Sequence, residues 1–187
     1  MKKAVIFDCF GVLLTNGWLA FLHEYENPEN ADELRYLNMQ NDRGDISQQE
    51  FNNRVSKVTG VSLEKIERQT SRSLVLNSSL VKYIQELKTR GYDLSIITNI
   101  GSPLSDYLPE DVLGLFPVVT ESFRAHCIKP SVEIYQLHLS KLGLSASDAI
   151  FIDDSKDNCD GAELAGINSL QFIDNKSLKI KLENLLK

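Results

Sequence analysis

Four short apolar runs constrain this chain more than anything else in it: Lys3 to Phe7, Asp93 to Ile97, Val118 to Thr120 and Ala149 to Ile152. Each ends at polar, small or charged residues, as buried strands do. Between them lie segments with helical spacing, Leu80-Val81-Ile84-Leu87 ahead of Gly91 and Ile134-Leu137-Leu139-Leu142 ahead of Gly143. Both glycines stand where a helix C-cap belongs. Strands alternating with helices read as βαβ units. The expected fold is therefore α/β, a Rossmann-like parallel sheet flanked by helices, with its ligand site at the carboxyl ends of the strands.

Residues 16–79 have a different texture: polar, charged and without a β-branched run. They read as helices. Ser47-Gln-Gln-Glu is a capping-box pattern heading a helix that turns Phe51 and Val55 inward, and Ser62 heads another carrying Leu63 and Ile66. The expected organisation is a core domain of residues 1–15 and 80–187, with a small all-helical cap of residues 16–79 inserted after the first strand. Ser177 to Lys187 reads as a surface helix. The chain carries no internal repeat and no low-complexity tract.

With 187 residues, 42% of them apolar and 25% charged, the chain has room for one domain plus a modest insertion. That composition excludes disorder, collagen-like repeats and a disulfide scaffold. A formal net charge of -6 offers no basic face to nucleic acid. Lys2 and Lys3 precede an apolar run, but Asp8 interrupts it after four residues, so no export signal is expected. No stretch approaches the roughly 18 apolar residues that span a bilayer. Cys9, Cys127 and Cys159 cannot all pair within one chain and read as reduced thiols, which points to the cytoplasm.

The chemistry-bearing residues stand at the ends of the expected strands. Asp8 follows the first; alone it is equally a turn or capping aspartate, since Gly11 comes three residues later. The second strand runs into Thr98-Asn99, whose hydroxyl and amide can donate to a phosphate oxygen, although such a pair is commonly only a cap. Ile128-Lys129-Pro130 offers a lysine, a residue type that is most often solvated. Asp153-Asp154 closes the fourth run, followed by Asn158 and by Gly161-Ala162-Glu163-Leu164-Ala165-Gly166. In a parallel sheet the two acids come beside Asp8, and carboxylates that close need a compensating cation. Oxygen-only ligands favour Mg2+.

In this order, Asp8, Thr98, Lys129 and Asp153-Asp154 resemble the four-motif signature of the haloacid dehalogenase-like superfamily, over nearly the whole chain. The insertion, with Gly44-Asp45-Ile46-Ser47 and Glu50-Phe51, looks like the small cap of its phosphoglycolate phosphatase-like branch. The resemblance implies Asp8 as nucleophile and metal ligand, with Thr98, Asn99 and Lys129 around the phosphoryl oxygens. It further implies Asp154 as a direct metal ligand, Asp153 as its neighbour, the Phe10 carbonyl as another ligand, and Gly11 and Asn158 on the substrate. Metal, lysine, hydroxyl and loop amides would together stabilise the charge of a phosphoryl group in transfer.

Two residues depart from the family pattern. Most phosphatases of the family carry a second aspartate, the general acid and base, where this chain has Phe10. Losing that help costs on the order of 10²–10⁴ in rate, about 3–5 kcal/mol. His126 stands where glycine is usual, and histidine tolerates positive φ better than most residues. The expected function is a Mg2+-dependent phosphatase acting on a small phosphorylated metabolite through an aspartyl-phosphate on Asp8. The aromatic at position 10 keeps open a 2-haloacid dehalogenase-type hydrolase, although those enzymes work without metal and lack the Asp-Asp pair. A third reading is a catalytically weak protein that binds a phosphorylated ligand or protein partner. Tyr36, Asn38 and Arg43 are candidates for facing the site, and Trp18 reads as a core anchor. His23 and His138 read as packing or surface residues. No nucleic acid or membrane is expected as partner, and the chain is taken as a monomer or homodimer.

Overall fold

The structure is a computed structural model that describes residues 4–72 and 74–187. Lys2 and Lys3, the latter the expected start of the first strand, lie outside the described residues. Strands β1 (Ala4–Phe7), β2 (Asp93–Thr98), β3 (Val118–Glu121) and β4 (Ala149–Asp153) fall on the four apolar runs. A fifth, β5 (Asn168–Gln171), joins them in one parallel sheet of order β3-β2-β1-β4-β5. The apolar runs do not announce β5, because an edge strand reading Asn-Ser-Leu-Gln takes its place by backbone pairing and not by burial.

Ten helices accompany the sheet in the described residues: α1 (Gly17–Tyr25), α2 (Ala31–Arg43), α3 (Gln48–Thr59), α4 (Leu63–Glu67), α5 (Ser78–Thr89), α6 (Glu110–Leu113), α7 (Ser122–Ala125), α8 (Val132–Leu142), α9 (Lys156–Leu164) and α10 (Asn175–Leu185). Successive side chains of β1 point to opposite faces. Val5 and Phe7 join Leu80, Ile84 and Leu87 of α5 and Leu178 and Leu182 of α10, whereas Ile6 joins Ile134 and Tyr135 of α8 and Ala162 of α9. Helix α10 is thus more than a surface helix, since burying Leu178 and Leu182 seals one face of the sheet. Gly143 caps α8 in the left-handed region, while α5 ends on Arg90 and Gly91 takes positive φ one residue later. Among the described residues no helix is long and apolar enough to cross a membrane.

Helices α1 to α4 pack around a separate apolar cluster that includes Phe21, Leu34, Leu37, Phe51, Val55 and Ile66. The hydroxyl of Ser47 accepts from the Glu50 amide at 3.2 Å and that of Ser62 from the Lys65 amide at 3.4 Å, which starts α3 and α4 where the sequence expects them. A π-helical turn over Arg68–Arg72 follows α4. The chain leaves β1 and returns to α5 side by side, joined by a Leu14–Leu76 bridge and by the Asn77 amide on the Leu13 carbonyl at 2.8 Å.

His138 of α8 is fully buried, its ring nitrogens 2.9 Å from the hydroxyls of Thr120 and Ser95. It is therefore a packing residue with both polar ends satisfied. His23 lies exposed on α1.

Candidate active site

The central strand delivers Asp8 to the carboxyl edge of the sheet, where its amide continues the ladder by donating to the Ile152 carbonyl at 2.8 Å. The chain must then turn sharply away. Gly11 makes this possible: its φ is +94°, and a Cβ built there would lie 2.1 Å from Oδ2 of Asp154. Any other side chain would collide with the carboxylate, so the turn and the acidic pair require each other.

Lys129 is 3% exposed, and its ammonium lies 2.6 Å from Oδ1 of Asp8 and 2.7 Å from Oδ2 of Asp153. Asn99 positions it from behind, with its side-chain NH2 donating to the Lys129 carbonyl at 3.0 Å and its oxygen accepting from the Lys129 amide at 2.9 Å. The Asn99 amide, expected to serve phosphate, is thus committed to the lysine backbone. Asn158 behaves alike: its NH2 lies 3.1 Å from both oxygens of Asp153, whose Oδ1 also accepts from the Ser155 amide at 2.8 Å. Asp153 is fully buried, and three donor groups, the Lys129 ammonium, the Asn158 NH2 and the Ser155 amide, make four contacts to its oxygens.

The carboxylates of Asp8, Asp153 and Asp154 each place an oxygen within 4.8 Å of the others. One ammonium faces three acids. Burial pushes the Asp8 carboxyl up from its ordinary range and Asp153 adds to the push, against the opposing pull of Lys129. Asp154 is raised too, by burial and then by Asp153. Lys129 loses stability as a cation by burial, yet Asp8 and Asp153 hold its pKa above the usual value. Excess negative charge in a largely buried, oxygen-only cluster fits a hard divalent cation such as Mg2+. Thr98 supplies a second sign of fit. Its buried hydroxyl lacks a hydrogen-bond partner among the described residues, which costs about 1–3 kcal/mol, and an anionic oxygen at the strand end would satisfy it.

A cavity of about 460 Å³ opens over this cluster, between the strand ends, helices α1 to α3 and the π-helical turn that follows α4. Asp8, Phe10, Asn99, Lys129, Asp154 and Asn158 line it, whereas Thr98 and Asp153 stand behind the lining. The Phe10 ring faces Tyr107 edge-on at 5.4 Å. Of the three residues expected to face the site, only Asn38 does. Arg43 turns to Asp45, and Tyr36 is 55% exposed beside Gln40. Trp18 stacks on Phe21 at 5.4 Å and meets Phe51 edge-on at 5.1 Å, yet it also forms cavity wall, so core anchor and wall are one side chain. His126 adopts φ +54°, the conformation expected of a glycine replacement. The sequence reading passed over Asp42, which lines the cavity one turn after Asn38 on α2. The i, i+4 spacing of the two was the available signal.

A family model for haloacid dehalogenase-like hydrolases matches residues 2–166. The chain is 28% identical, over 98% of its length and 96% of the relative's, to a sesquiterpene phosphatase of Aspergillus oryzae. A Bacteroides thetaiotaomicron enzyme of the same family, solved with magnesium and inorganic phosphate, superposes with a TM-score of 0.70 at 21% identity, covering 95% of this chain and 99% of that one. A dehalogenase solved with an intermediate superposes with a TM-score of 0.69 at 17% identity, covering 93% of this chain and 86% of that one.

Proposed function

The chain belongs to the haloacid dehalogenase-like hydrolase family, and on that premise we propose that it is a Mg2+-dependent phosphatase of small phosphorylated metabolites, working through an aspartyl-phosphate on Asp8. The observation that carries this reading is three carboxylates, Asp8, Asp153 and Asp154, gathered under a cavity, with the ammonium of Lys129 paired to the first two. Asp8, Asp154 and the Phe10 carbonyl would hold Mg2+, which supplies positive charge to the phosphoryl oxygens. Asp8 forms a bond to phosphorus as the ester oxygen leaves, and water later cleaves the acyl-phosphate. Lys129 meets the transferring oxygens, joined by the Thr98 hydroxyl just behind the lining, which lacks a partner among the described residues. Asn99 and Asn158 orient Lys129 and Asp153.

In this reading residues 16–79 are a cap of the phosphoglycolate phosphatase-like branch over a core of residues 1–15 and 80–187, supported by the separate apolar cluster of α1 to α4. Trp18, Leu22 and Phe51 line the cavity from that side. They suit a leaving group with an apolar body, in keeping with a relative that is a sesquiterpene phosphatase. The three free, buried cysteines suit a reducing compartment such as the cytoplasm.

The deciding experiment is phosphate release from p-nitrophenyl phosphate with Mg2+ and with EDTA. Turnover that EDTA removes is expected. Halide release from 2-haloacids in EDTA, without phosphate release in Mg2+, would replace this reading by the dehalogenase that Phe10 keeps open.

A further inference from the structure

An alkyl phosphate leaves as an alkoxide unless a proton meets it, and the water that attacks the acyl-phosphate must lose one. Phe10 can do neither. Of the ionisable side chains lining the cavity, Asp8 is the nucleophile of the proposed reaction, Asp154 belongs to its metal cluster and Lys129 is its fixed cation. The Arg35 guanidinium, a donor without acceptor capacity, pairs with Asp32 at 3.0 Å. The Tyr107 hydroxyl lies 2.8 Å from that of Ser102. Asp42 remains.

We propose that Asp42, carried on α2 over the strand ends, is the general acid and base that position 10 lacks. The inference rests on the phosphatase reading and assigns a part of it. In the first half-reaction the Asp8 oxygen bonds to phosphorus, the bond from phosphorus to the ester oxygen breaks, and the Asp42 carboxyl gives its proton to that oxygen. In the second, water bonds to phosphorus and its proton passes to the Asp42 carboxylate, while the acyl-phosphate electron pair returns to Asp8. Alcohol, phosphate and the starting enzyme are recovered.

The last turn of α2 is fixed against the site rather than hanging over it. Ser122, fully buried, donates to the Asp42 carbonyl and accepts from the Ile100 amide at 2.9 Å. A Cβ on Gly101 would lie 2.1 Å from Oδ1 of Asn41, and one on Gly44 would lie 2.5 Å from the Phe123 carbonyl. His126 Nδ1 sits 3.3 Å from the Arg43 carbonyl. Helix and loops are thus in contact on both sides of Asp42, with no space for slack. Asn38 donates to Oδ2 of Asp42 at 2.8 Å and orients the carboxyl. Burial pushes the Asp42 carboxyl up to about 7, with the Asn38 hydrogen bond and the Lys129 charge opposing. Arg43, next to it, is turned to Asp45. At neutral pH both forms are therefore populated, as a group that donates in one step and accepts in the next requires.

Asp42→Asn should lower kcat on hexyl phosphate by about 10²–10³-fold and on p-nitrophenyl phosphate by less than about tenfold, because nitrophenolate leaves without a proton. KM should hold within about threefold, and the limb near neutrality in the kcat/KM profile should vanish. Asp42→Glu should recover part of the alkyl activity. Circular dichroism and melting establish that each variant is folded. Equal losses on both esters would overturn the assignment while leaving the phosphatase reading intact. A wild-type protein inert toward both esters with Mg2+ would overturn both.

Discussion

At the scale of single residues, Asp8 combines reactivity with strain on stability. Its buried carboxyl has a raised pKa, so relative to the unfolded chain it favours the fold while protonated. That contribution disappears as pH climbs from about 4 towards neutrality, where the ion must be buried. Asp8→Asn should therefore abolish phosphate release and, in EDTA at pH 7.5, melt above the wild type by a few degrees. Calorimetry across pH checks both the size and the sign. Phe10→Asp asks the complementary question: in the Asp42→Asn background, a carboxyl placed there should raise turnover of hexyl phosphate and change p-nitrophenyl phosphate little. Because Phe10 packs on Tyr107, the variant should also lose about 1–3 kcal/mol of stability, read from urea unfolding. No selective gain on the alkyl ester, in a folded variant, would show that position 10 is not where a proton is needed.

Elements turn these residues into a site by their ends. The carboxyl end of β4 carries Asp153 and Asp154 in opposite environments, one fully buried among donors and one at the cavity. Asp154→Ala should remove the Mg2+-induced rise in melting temperature, since a ligand stabilises only the state that binds it. Asp153→Ala should weaken the rise less, yet cost about 3 kcal/mol of stability by leaving Lys129 short of one buried partner. Equal, full Mg2+ shifts in both variants would move the cation elsewhere. Helix α8 makes a separate prediction. Burial depresses His138 to about 3, with Lys141 adding to it, so the folded protein prefers the neutral ring. Stability should be complete above pH 6.5 and fall by about 1.4 kcal/mol per pH unit below it, as the unfolded chain takes up a proton that the fold refuses. His138→Gln should flatten that slope in acid titrations; an unchanged slope would assign the acid sensitivity to other groups.

In the whole molecule, the site exists because two apolar clusters share a boundary: the sheet supplies charge, and helices α1 and α3 supply apolar wall. Trp18→Ala should accordingly raise KM for hexyl phosphate about tenfold, or ~1.4 kcal/mol, and leave methyl phosphate within about twofold. A matching rise for both would mean that Trp18 only holds α1 in place. The sequence alone determined the parallel sheet, since runs such as Ala4–Phe7 and Ala149–Ile152 are apolar on both faces and can persist only when covered on both. It also determined the acids at the strand ends, and the starts of α3 and α4, because Ser47 and Ser62 act on amides three residues away. Edge strand β5 escaped it, as pairing in a ladder depends on a neighbour distant in the chain (Ile150 opposite Asn168) and leaves little mark on composition. Only the tertiary structure decided that Asn99 and Asn158 serve Lys129 and Asp153, and that Asp42, not Arg43 or Tyr36, faces the cavity. The last of these choices depends on how α2 docks against Gly101, Ser122 and Phe123. A helix's rotation about its own axis is set by long-range contacts, so local residue patterns carry its buried stripe but not which polar neighbour of that stripe meets the site.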